Sequence, residues 1–189
     1  MQKIILATGN PGKVVEFNSL LKTHFIVEPQ NDYQVVEAEE TGLSFVENAI
    51  LKARNAAQQT GMSALADDSG LSVEALNGAP GIYSARYSGG DDEQNIDKLL
   101  ENMQGVENRK AHYYCAIALV KHASDPTPII AVGEWHGEIL TARQGENGFG
   151  YDAVFYVPEL KKSSAELQAS QKNSLSHRAL ALNNLLKQL

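Results

Sequence analysis

Apolar residues are grouped along this chain in two alternating periods. Lys3-Ile4-Ile5-Leu6-Ala7 is a short continuous run, and after the turn-like Thr8-Gly9-Asn10-Pro11-Gly12-Lys13 the apolar positions Val14, Phe17, Leu20 and Leu21 recur at helical spacing. The chain therefore opens with a strand, a turn and a helix. Phe25-Ile26-Val27 reads as a second strand, followed by an acidic loop that ends Glu37-Ala38-Glu39-Glu40-Thr41-Gly42. Ser44 and Glu47 are spaced as a capping box ahead of Phe45, Ala49, Ala53 and Ala56, which predicts a helix with a small-residue face. Ser63–Ala66 and Leu71–Leu76 read as short strands on either side of an Asp67-Asp68-Ser69-Gly70 turn.

The second half changes rhythm. Asp91 to Met103 places Ile96, Leu99, Leu100 and Met103 on one helical face, and Ala111–Val120 and Ile129–Ile139 are the longest strand candidates. The turn-rich Ser124-Asp125-Pro126-Thr127-Pro128 between them predicts an antiparallel pair. Gly145 to Gly150 reads as a Gly-rich loop, and a last helix is predicted with Leu175, Ala179, Leu182, Leu186 and Leu189 on one stripe. Strands alternating with helices, then a strand pair, predict an α/β protein with a mixed sheet. The strand order is not readable from the pattern.

Composition narrows the function more than the fold. A length of 189 residues suits a single domain over 1–189, and 43% apolar with 21% charged residues is ordinary for a folded chain. No apolar run reaches the ~20 residues of a membrane span, and Met1-Gln2-Lys3 is too short a lead for a signal sequence, so the expected location is cytoplasmic. The lone Cys115 lies in a strand-like run and is expected to be a buried, inert thiol. A net charge of −7 argues against a nucleic-acid polymer as partner. A small anion bound by a few converging cations, with a divalent metal offsetting charge, remains open.

The candidate chemistry lies in the loops. Adjacent carboxylates at Asp67 and Asp68 repel unless a positive charge sits nearby; they read either as Mg²⁺ ligands, with Glu39-Glu40 as a second acidic pair, or as an Asx-type turn in a solvated loop. Thr8 to Lys13 follows a strand and opens a helix, so its backbone N–H groups and Lys13 form either a phosphate cradle or a plain tight turn. With only two residues between Gly9 and Gly12, it is not a Walker A loop. Gly148-Phe149-Gly150-Tyr151-Asp152 suits stacking on a base and reading its edge, or a hairpin turn with half-buried aromatics. Lys172, His177 and Arg178 are anion-binding cations or helix-surface charge, and Arg86 and Lys52 add cations from a loop and from the polar side of the second helix. The other histidines show no zinc spacing, and neither GxSxG nor GxGxxG is present.

Taken in order, Leu6-Ala7-Thr8-Gly9-Asn10-Pro11-Gly12-Lys13, Glu39-Glu40-Thr41-Gly42, Ala66-Asp67-Asp68-Ser69-Gly70-Leu71, Pro80 to Tyr87, Gly148 to Asp152 and Ser176-His177-Arg178 resemble the inosine triphosphate pyrophosphatase family along essentially the whole chain. The resemblance implies Mg²⁺-dependent hydrolysis of non-standard purine nucleoside triphosphates (ITP, dITP, XTP) to monophosphate and pyrophosphate. It also implies a homodimer of two-lobed α/β subunits with a long mixed sheet flanked by helices and the active-site cleft between the lobes. By motif, Thr8, Gly9, Asn10, Pro11, Gly12 and Lys13 bind the triphosphate. Asp68 is the catalytic acid/base residue and a metal ligand, with Glu40, or its neighbour Glu39, as the second acidic ligand. Ser69, Phe149, Gly150, Tyr151, Asp152, Lys172, His177 and Arg178 contact substrate, and Lys52 and Arg86 join them as cations. The chain departs from the commonest motif at Ala153, where relatives often carry Pro, and at Glu146-Asn147. A pyrophosphatase for another base and a non-catalytic nucleotide sensor are the rival readings.

Overall fold

The computed structural model describes all residues, 1–189. Strand β1 (Gln2–Leu6) leads to helix α1 (Pro11–Leu21), which starts where Asn10 caps it and Pro11 takes the first helical position, already restricted to a helical φ. Strand β2 (Phe25–Pro29) and the acidic loop follow, then helix α2 (Phe45–Thr60). Ser44 caps α2 by accepting the Glu47 N–H (3.3 Å), and Glu47 reaches back to the Leu43 N–H (3.0 Å) rather than to that of Ser44. Gly61 ends it at φ 70°, a left-handed position that a side chain would strain. Next come β3 (Ala64–Val73), α3 (Asp92–Asn102), β4 (Lys110–Val120) and β5 (Ile129–Ile139). The chain closes with β6 (Phe155–Val157), β7 (Lys162–Ser163), α4 (Ala169–Leu175) and α5 (His177–Leu186).

The seven strands form one mixed sheet in the order β2-β1-β3-β4-β5-β6-β7. β1 runs parallel to both β2 and β3, as α-helical crossovers require, while β6 is antiparallel to β5 and β7. The expected α/β class and mixed sheet are thus observed. No helix is long and apolar enough to cross a membrane.

The chain divides into two compact units. The first comprises residues 1–68, 115–133 and 181–189, and the second residues 69–114 and 134–180. The core of the first is built from Ile4, Leu6, Phe17, Leu21, Leu65, Ile117, Leu182 and Leu185, with Cys115 buried among them as expected. The second unit's core centres on Leu71, Ile96, Leu99, Trp135 and Phe155.

Two expectations are corrected. Asp67-Asp68-Ser69-Gly70 is not a turn between two strands: β3 runs unbroken from Ala64 to Val73, and Glu74–Leu76 is a 3-10 turn. Gly70 keeps an extended backbone, so the composition that suggested a turn is spent inside a buried strand. The last helix is also interrupted. Ser176 adopts an extended ψ of 155° between α4 and α5, so Leu175 leaves the predicted stripe and is exposed, as is Leu189; Ala179, Leu182 and Leu185 carry the burial.

Phe17 is fully buried in the first core. Phe17→Ala is expected to cost about 3–5 kcal/mol, read as a lower urea midpoint at an unchanged m-value.

Candidate functional site

Strand alternation decides what the acidic pair does. Successive side chains on β3 point to opposite faces, so Asp67 and Asp68 are carried apart although adjacent in sequence. Both are buried, at 1% and 7% exposure, and each meets its own lysine. Lys13, from the first turn of α1, places Nζ 2.8 Å from Asp67 Oδ2. Lys52, from α2, places Nζ 3.0 Å from Asp68 Oδ1 and 2.8 Å from Glu40 Oε1. One ammonium therefore bridges Asp68 and Glu40, while neighbouring Glu39 is exposed. Lys52, expected as a cation from the polar side of its helix, is thus turned onto these two carboxylates.

Asn48 completes this centre. It is fully buried one helical turn before Lys52 and donates from Nδ2 to Asp68 Oδ2 at 3.2 Å. Sequence reading passed over it, although an Asn and a Lys four apart on one helix face was a legible signal. Burial pushes the Asp68 carboxyl above its ordinary range, and the charge of Glu40 adds to that; Lys52 and the Asn48 amide work against them without cancelling them. For Lys52 burial alone would lower the pKa, but Asp68, Asp67 and Glu40 outweigh it and the ammonium is held more firmly than usual.

The turn before α1 is organised by its own side chains. Asn10 Oδ1 accepts the N–H groups of Gly12 (2.9 Å) and Lys13 (3.2 Å), and Thr8 Oγ1 accepts that of Asn10 (3.2 Å). Of the amides expected to cradle phosphate, those of Gly12 and Lys13 are engaged by the Asn10 cap and that of Asn10 by Thr8. Glu37 lies against Gly9, where a Cβ would come within 2.3 Å of its Oε1.

The second unit gathers the aromatic and basic candidates. Asp152 is buried and accepts from the Phe149 N–H (3.0 Å) and Lys172 Nζ (2.5 Å) through Oδ2, and from Ser164 Oγ (2.9 Å) through Oδ1. Gly148 at φ 83° lets the loop fold over this carboxylate; a Cβ there would sit 2.1 Å from Asp152 Oδ2. Lys172 also lies over the Phe149 ring, 4.8 Å from its centroid, and that ring is half exposed. Gly150 N–H donates to Asp92, and the buried Tyr151 donates its hydroxyl to the Ser84 carbonyl (2.7 Å). His177 and Arg178 are not helix-surface charge: they are buried, at 6% and 3% exposure. Arg178 reaches Ser69 Oγ at 3.4 Å, and the exposed Arg86 lies over the Tyr83 ring.

No cluster of three or more His, Cys, Asp or Glu side chains gathers in a way that could hold a metal. Two carboxylates converging on one ammonium nonetheless suit Mg²⁺, which takes one or two carboxylate oxygens and completes its shell with water and substrate phosphate.

The Ham1 family model matches residues 4–188. A Photobacterium profundum protein named dITP/XTP pyrophosphatase is 54% identical, with 100% of this chain and 98% of that one covered. One of the same name from Pectobacterium atrosepticum is 55% identical at the same coverage. A HAM1 protein structure from Coxiella burnetii superposes with a TM-score of 0.94 at 46% identity over 100% of both chains, and the Staphylococcus aureus Ham1 protein with 0.90 at 42% identity over 98% and 97%.

Without metal, Asp68 is expected to titrate above the ordinary aspartate value of about 3.9. A carboxyl raised by folding lends stability that is complete below the unfolded value and is lost as pH rises through the folded one. Carboxyl-carbon NMR should show the raised midpoint, and Lys52→Met should move it higher; a midpoint at or below 3.9 would contradict the burial argument.

Proposed function

The chain belongs to the Ham1 family, and from that premise we propose that it hydrolyses non-standard purine nucleoside triphosphates, ITP, dITP and XTP, to the monophosphate and pyrophosphate. The observation that carries the reading is the convergence of Asp68 and Glu40 on one ammonium, held by α2.

Asp68 is the acid/base residue. Its Oδ1 is fixed by Lys52 and its Oδ2 by Asn48, which aims the carboxylate at a water attacking the α-phosphorus in line. The bond from the α-phosphorus to the bridging oxygen breaks as the water oxygen adds, the water proton passes to Asp68, and pyrophosphate departs. Asp68 and Glu40 would hold Mg²⁺, which when bound would neutralise phosphate charge. Thr8 to Lys13 take the triphosphate, and Lys13 and Lys52 offset the charge of the leaving group. Asp67, tied to Lys13, positions that lysine.

Base selection falls to Phe149, which offers a ring for stacking, and to Lys172, His177 and Arg178 with Ser69, Gly150, Tyr151, Asp152 and Arg86 around them. Donor-rich side chains complement the 6-oxo group of hypoxanthine or xanthine and leave the 6-amino group of adenine facing other donors. The same reading takes the protein to act as a cytoplasmic homodimer.

A triphosphate panel tests this reading. ITP, dITP and XTP should release pyrophosphate at a kcat/KM at least about 100-fold above ATP, and chelation of Mg²⁺ should abolish it. Orthophosphate as product, or equal turnover of ATP, would sink the assignment.

A further inference from the structure

The two oxygens of Asp152 face different company. Oδ2 receives Lys172 and the Phe149 N–H, both assigned above to the base, whereas Oδ1 receives two hydroxyls, Ser164 at 2.9 Å and Tyr113 at 3.5 Å. Tyr113, on β4, has no part in the mechanism above, yet it touches two of the residues that do. Its ring is stacked on His177 at 4.7 Å between centroids and 12° between planes. The opposite constraint comes from the core, where Phe155 lies 4.6 Å and Trp135 6.3 Å from the same ring. At 7% exposure between these rings, Tyr113 has little room to move.

We propose that Tyr113 is a positioning residue for base selection: its ring sets the plane of the His177 imidazole, and its hydroxyl, with that of Ser164, sets the rotamer of Asp152 and so the place of Lys172. The inference rests on the base-selecting role given to His177 and Lys172. Burial, and after it the negative charge of Asp152, push the phenol well above its ordinary range, so it stays a donor at every working pH. A 3.5 Å contact is at the weak end of hydrogen bonding, while the stack is close and nearly parallel; the ring therefore carries more of the effect than the hydroxyl.

The test compares kcat and KM for ITP and for ATP in the wild-type chain, Tyr113→Phe, Tyr113→Leu and the double variant Tyr113→Phe with Ser164→Ala, all with Mg²⁺. Tyr113→Leu should lower the ITP-to-ATP ratio of kcat/KM about fivefold or more, mainly through KM for ITP. Tyr113→Phe, which keeps the stack, should stay within about threefold of wild type. The double variant keeps the packing but strips both hydroxyls from Oδ1, and should lower the ratio about fivefold even where Tyr113→Leu folds poorly. A ratio unchanged in both the Leu and double variants, or equal losses on ITP and ATP, overturns the proposal. Wild-type turnover of ITP tests the functional reading separately, since a wild-type enzyme that prefers ITP beside variants with unchanged ratios defeats only the role of Tyr113.

Discussion

Two carboxylates buried side by side on one strand are the constraint on which the first unit depends. An ionised group taken from water costs several kcal/mol unless paired, and Asp67 and Asp68 are almost wholly buried. The alternation of β3 separates them by face, and each needs a cation from its own side. Lys13 must come from the start of α1 and Lys52 from the middle of α2, so the acidic strand specifies where both helices pack. Asn10 caps the start of α1, and α2 buries the small Ala49, Ala53 and Ala56.

The same geometry divides the labour. Asp67 is closed off against Lys13, and Asp68 shares its cation with Glu40 and keeps a raised carboxyl. A lysine held between two carboxylates keeps their oxygens converged. In the second unit Asp152 plays a comparable part from the acceptor side, collecting a lysine, a loop amide and two hydroxyls so that the Gly148–Asp152 loop holds one shape.

Much of this was legible in the chain. Periodicity and caps placed β1, α1, α2, α3 and the β4 and β5 strands to within a few residues, because each is specified locally. What failed was specified by partners distant in sequence. The Asp-Asp-Ser-Gly composition reads as a turn until lysines from α1 and α2 make a continuous strand tolerable. His177 and Arg178 read equally as anion-binding cations or surface charge, since nothing local announces the groups that bury them, and the spacing of Lys52 does not announce the two carboxylates it meets. Asn48 was within reach through its spacing from Lys52. Tyr113 and Ser164 were not, because their importance lies in meeting Asp152 from strands and turns far along the chain.

The unequal roles of the two acidic residues are tested most directly by steady-state pyrophosphate release from ITP by Asp68→Asn at saturating Mg²⁺. The account predicts a loss in kcat of about 10²–10⁴ with the fold and ITP binding retained. An Asp68→Asn enzyme that turned over at the wild-type rate would contradict it.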